Sequence, residues 1–123
     1  MRKLICTSII TLVFACTISA QSEQKPKAYV FAEFTTATDS NIAFIMKPFY
    51  SVLRNENAQG YIIVYGSPRG IKNRRAAIMK GMTWRVYDPS RITFVDGPAE
   101  KLTRTEMWIV PTGAENPAPR TRK

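Results

Sequence analysis

The chain has 123 residues, 45% of them hydrophobic and 22% charged, with 18 Lys and Arg against 9 Asp and Glu for a formal charge of +9. That length suits one small domain, and the apolar and aromatic content is too high for wholesale disorder. There is no histidine, and Cys6 and Cys16 are the only thiols, so His-based triads and Cys/His zinc sites are excluded at the outset.

Met1-Arg2-Lys3 is a basic start, and Leu4 to Ala20 is an uninterrupted apolar run ending in Ser19-Ala20 ahead of Gln21. A charged start, a short apolar core and a small-residue exit describe a secretory leader over residues 1–20. At this length the run is at the lower edge of a spanning helix, which needs ~20 residues. An alternative is a lipoprotein, with Val13-Phe14-Ala15-Cys16 as the box and Cys16 as the lipidated residue, although Phe14 stands where a small residue is usual. Cleavage after Ala20 removes both cysteines, which leaves a thiol-free domain suited to an oxidising compartment. The expected location is therefore periplasmic or secreted, with membrane attachment only if Cys16 is lipidated.

Residues 21–27 (QSEQKPK) read as a flexible lead, and Ala28 to Phe34 as a strand. Thr35 to Ser40 offers capping side chains. Ile42, Ile45, Phe49, Val52 and Leu53 then recur at helical spacing, with Pro48 either kinking that helix or opening its regular part. Asn55 to Gly60 ends it. Tyr61 to Tyr65 (YIIVY), bounded by Gly60 and Gly66, is the strongest strand signal and suits a central position. A loop, Gly66 to Gly70, leads to a second helix from about Ile71 to Val86. Asp88-Pro89-Ser90 is a turn, Ile92 to Val95 a short strand and Asp96-Gly97-Pro98 another turn. In the last strand Thr103, Thr105, Met107 and Ile109 alternate with Arg104, Glu106, Trp108 and Val110. Residues 112–123, rich in Pro and basic at the end, read as a disordered tail.

The order β-α-β-α-β-β predicts an α+β fold, a two-layer α/β sandwich with two helices on one face of a mixed four-stranded sheet. The other face is then open. Tyr61, Ile63, Tyr65 and Trp108 are either core residues or an exposed partner-binding patch there.

Four features together resemble the OmpA-like domain, the peptidoglycan-associating module of bacterial envelope proteins. They are a strand ending in Gly (YIIVYG), a helix opening with Arg74-Arg75-Ala76, the run Asp88-Pro89-Ser90-Arg91-Ile92, and the closing alternating strand. The likeness covers residues 28–111, and the segment from Gly60 to Gly97 with TEMWIVP is similar to short exported bacterial proteins of a trimmed form. The resemblance implies recognition of the diaminopimelate of peptidoglycan, with an Asp taking its ammonium and an Arg its carboxylate. Arg75 matches that Arg. Gly66-Ser67-Pro68-Arg69 stands where the family has Gly-x-Thr-Asp, so the matching acid is absent, and Val86 replaces a family Gly. The usual ligand is expected to bind weakly or not at all.

Arg69, Lys72, Arg74, Arg75, Lys80, Arg85 and Arg91 face only Asp88 within their stretch. Ser67, Arg69, Lys72, Arg74 and Arg75 would surround a helix N-terminus, whose free N–H groups favour anions. The same run equally describes a solvated basic helix face. Glu33, Asp39, Asp88, Asp96, Glu100 and Glu106 form no recognisable pair, and no nucleophile elbow, phosphate loop, dinucleotide fingerprint or metal-ligand spacing is present. No cofactor and no catalytic residue is expected. The leading expectation is a non-catalytic exported envelope module that binds peptidoglycan, another anionic envelope component or an envelope protein. A binder of other polyanions, nucleic acid or a phosphate-rich polymer, is the alternative, although an exported chain is not expected to meet nucleic acid. A small secreted enzyme comes last.

Overall fold

The structure, a computed structural model, describes residues 25–120. The expected leader and Cys16 lie outside the described residues. Four strands and two long helices alternate as β1 (Tyr29–Phe34), α1 (Asp39–Asn55), β2 (Gln59–Tyr65), α2 (Pro68–Trp84), β3 (Ile92–Asp96) and β4 (Arg104–Val110). A single 3₁₀ turn, Pro89–Arg91, precedes β3. The sheet order is β1-β4-β2-β3, with β2 and β3 parallel and the other pairings antiparallel. The predicted α+β class and mixed four-stranded sheet are observed, and both helices pack on one face.

Local chemistry sets the helix ends. The Thr38 side chain accepts from the Asn41 N–H at 3.2 Å to open α1, and the helix runs through Pro48 without ending there. Ser67 accepts from the Gly70 N–H at 3.1 Å, with Pro68 in the first turn. The second helix thus starts at Pro68, three residues ahead of the expected Ile71, because a serine cap and a proline at the first position form a start signal. It stops at Trp84, because Val86 takes φ +57, while the Tyr87 N–H reaches back to the Met82 carbonyl at 3.1 Å.

Val86 is 89% exposed, so its side chain earns no packing for that strained backbone. A left-handed conformation costs an ordinary residue roughly 1–2 kcal/mol and a β-branched one is an outlier there, against about 0.5–1 kcal/mol of extra chain entropy for glycine. Val86→Gly is expected to stabilise the fold by about 1 kcal/mol, read as a higher urea midpoint at unchanged slope.

The main core lies between the helices and one sheet face. It joins Ile42, Met46, Phe49 and Leu53 of α1 and Ile71, Ile78 and Met82 of α2 to Ile62, Val64, Met107 and Ile109. The second face holds a smaller cluster, Ile63, Tyr65, Trp108 and Val110, with Ala28, Tyr61, Val95 and Ala114 against it. This face is not open. Residues 111–120 have no regular structure, yet they do not trail away as the expected disordered tail. Ala114 packs on the cluster, and the Arg120 N–H donates to the Tyr65 hydroxyl at 2.9 Å. The aromatic residues considered as an exposed patch are therefore core on their larger members, with Tyr65 fully buried and Trp108 at 7% exposure.

Candidate functional site

Because β2 and β3 run parallel and α2 connects them, the carboxyl ends of both strands meet the N-terminus of α2. Val64 pairs with Asp96 in the ladder, and the Gly97 N–H donates to the Val64 carbonyl at 2.8 Å. Gly66, at φ +147, turns the chain from β2 toward the helix, and a Cβ there would press on Thr103 at 3.0 Å from its Oγ1. Asp96 thereby stands beside the first turns of α2.

Arg75 Nη1 lies 3.1 Å from Asp96 Oδ1, and the guanidinium carbon is 5.4 Å from the Phe94 ring centroid. Pro68, Ile71 and Lys72 join this pair around a depression of about 270 Å³. The two side chains are 44% and 58% exposed. A solvated pair of this kind is worth little to stability, but it presents a cation and an anion side by side at the mouth of a depression. One can receive a carboxylate and the other an ammonium.

The remaining predicted site residues separate. Lys72 lines the depression, and Arg69 is exposed in the first turn of α2. Neither forms an ion pair with another described residue. Ser67 is exposed and its hydroxyl is used as the helix cap. Arg74 is not brought to the site. It turns inward, donating to Thr105 Oγ1 at 2.7 Å and to the Thr35 carbonyl at 2.6 Å, with its guanidinium carbon 5.4 Å from the Phe34 centroid. Burial holds its pKa below the ordinary arginine value, and its work is to tie the β1–α1 connection to β4. In the sequence Asp96 reads as a turn residue and as one of the carboxylates without a recognisable pair. The signal that reveals it is the β2-α2-β3 unit itself, since a parallel crossover brings the end of the second strand to the start of the helix.

A second polar cluster occupies the face away from the helices. Arg104, 4% exposed, binds Glu100 through both nitrogens of one edge, at 2.7 and 3.1 Å, and lies 3.4 Å from both Glu33 and Glu106. Its guanidinium carbon is 3.8 Å from the Tyr65 centroid, and the Tyr65 hydroxyl donates to Glu106. Hydrogen bonding to Glu100 is the main cause that raises the Arg104 pKa above its ordinary value. Burial, then the hydrogen bond to Glu106, pushes that of Tyr65 up. Arg104 Nη2 also reaches the Arg120 carbonyl at 3.3 Å. This cluster is a clasp between sheet, tail and the loop before β4. No signal in the sequence marked Arg104 beyond its side of the strand.

Among the described residues, no group of three or more His, Cys, Asp and Glu side chains is placed to hold a metal ion, and no helix is long and apolar enough to cross a membrane. No protein-family model, no curated protein and no solved structure matches the chain.

Proposed function

We propose that the protein is a non-catalytic exported module of the cell envelope that binds cell-wall material at the Arg75–Asp96 depression, with Arg75 receiving a carboxylate and Asp96 an ammonium. The observation that carries this reading is the 3.1 Å contact between two half-exposed, oppositely charged side chains where the end of β3 meets the first half of α2. The fit of Arg74-Arg75-Ala76 to the OmpA-like pattern supports it, since that family takes diaminopimelate through an Arg and an Asp. The acid missing from Gly66-Ser67-Pro68-Arg69 is supplied here from the end of β3. A zwitterionic ligand separates the pair and replaces one weak, solvated contact with two. The carboxylates of the second cluster are engaged with Arg104 and Tyr65, which favours a binding role over an acid–base one.

Retention on purified peptidoglycan at low and at physiological salt tests this. The chain is expected to be retained at both, because close pairs in a depression are screened less than distant surface charges. Arg75→Ala and Asp96→Ala are each expected to lower retention by about tenfold or more, as removal of a charge-assisted hydrogen bond costs ~1.5–3 kcal/mol. Exposed Arg69 and Lys72 favour a second reading, a phosphate-rich polymer held by the basic face. In that case Asp96→Ala strengthens binding by removing a like charge to the ligand, and modest salt abolishes it.

A further inference from the structure

The outward sides of α1 and α2 carry large apolar side chains that the core does not use. Phe44 of α1 is 83% exposed and Trp84, the last residue of α2, 72%. They are not scattered. Ala43 and Arg85 line both of two open depressions between the helices, one of about 320 Å³ with Trp84 and Lys80, the other of about 620 Å³ with Phe44 and Lys47. The two rings thus stand on either side of Arg85, on one surface. Gly81 lines the floor between the helices, where a Cβ would meet only Ile42 Cγ2, at 3.6 Å.

The charge around the rings decides the occupant. Lys47, Lys80 and Arg85 frame them, against Asp39 alone, and none of the three cations pairs with a described acid. A second copy brought against this face would set like charges opposite one another. A partner helix needs a continuous apolar trough to fill, whereas here Arg85 lines both depressions and the two rings are themselves mostly exposed. Aromatic rings flanked by Lys and Arg are the side chains of the membrane–water interface, where the ring sits among headgroups and the cations meet lipid phosphates.

We propose that the outer face of α1 and α2 docks on an anionic phospholipid surface, with Phe44 and Trp84 entering the headgroup layer and Lys47, Lys80 and Arg85 against the phosphates. This contact needs no lipid on Cys16. It also leaves the Arg75–Asp96 depression free, since Arg75 and Trp84 are about 14 Å apart along the helix at 1.5 Å per residue. The inference therefore stands or falls independently of wall binding.

Two measurements on the full protein with vesicles of phosphatidylcholine alone and of phosphatidylcholine mixed with phosphatidylglycerol test it. The first is co-sedimentation. The second is the emission of Trp84, obtained by subtracting the spectrum of Trp84→Phe, which reports on this face whatever else touches the membrane. The expected result is a shift of Trp84 emission to shorter wavelength with the anionic vesicles only. Phe44→Ser with Lys47→Glu should raise the lipid concentration for half-maximal shift by about tenfold or more. Both positions are exposed, and an unchanged circular dichroism spectrum confirms the fold. Trp84 emission that stays water-like at every lipid concentration overturns the proposal. So does a shift equal in the variant, or a concentration-dependent dimer that the variant abolishes, which would assign the face to a second copy.

Discussion

Replacing Arg104 with Met is expected to lower the unfolding free energy by about 3–5 kcal/mol, the usual cost of removing one partner from a buried ion pair. The side chain is 4% exposed and lies among Glu33, Glu100 and Glu106. Met keeps an apolar stem over the Tyr65 ring, so the loss isolates the charge and its hydrogen bonds. Three carboxylates then converge on the place that its guanidinium held. Arg104→Lys should recover only part, because an ammonium cannot bind Glu100 along a planar edge while stacking on Tyr65. The network as a whole need not stabilise relative to an apolar cluster; the penalty comes from breaking it halfway. Accordingly, adding Glu106→Gln to Arg104→Met should return stability, with a coupling of about 1 kcal/mol or more in a double-mutant cycle. Urea denaturation reads both. Limited proteolysis gives a second readout, since Arg104 and Tyr65 hold the backbone of Arg120. Cleavage within residues 111–120 should accelerate in the variant before global unfolding does.

That clasp also marks where the sequence is silent. The alternation of β4 assigns Thr105, Met107 and Ile109 to one side and Arg104, Glu106, Trp108 and Val110 to the other, and the structure follows it because a strand has a fixed period of two. The bounded run from Tyr61 to Tyr65 likewise reads as a central strand, and β2 lies between β4 and β3. The cover on the second face is not legible. Residues 111–120 have no periodicity, and their position depends on Arg120 meeting Tyr65 across 55 residues and Arg104 across 16. The basic run is a comparable case. Adjacent residues on a helix point about 100° apart, so Arg74 and Arg75 leave the helix on different sides. Which of them turns inward is decided by Thr105 on a strand that follows much later in the chain. Composition locates the charge, and tertiary contacts decide which of it is available.

Phe49→Ala should cost about 3–5 kcal/mol, the range for truncating a buried aromatic, out of the roughly 5–15 kcal/mol that holds a domain together. Phe49 is fully buried and packs its ring 5.3 Å from that of Phe31. Its place exists because position 60 of the central strand has no side chain. A Cβ on Gly60 would lie 2.8 Å from Phe49 Cζ and 2.9 Å from Leu53 Cδ1, so α1 can sit against β2 only over a glycine. Gly60→Ala alone is therefore expected to destabilise, by about 1–3 kcal/mol for overpacking, although alanine has the better backbone entropy. Combining the two changes removes the contact with the ring and leaves only that with Leu53 Cδ1, the end of a flexible side chain, and the new methyl occupies part of the cavity that Phe49→Ala opens. The double variant should then be more stable than the sum of the single losses by about 1 kcal/mol or more. Strictly additive losses would mean that the ring and the glycine are not the contact that sets the distance between helix and sheet.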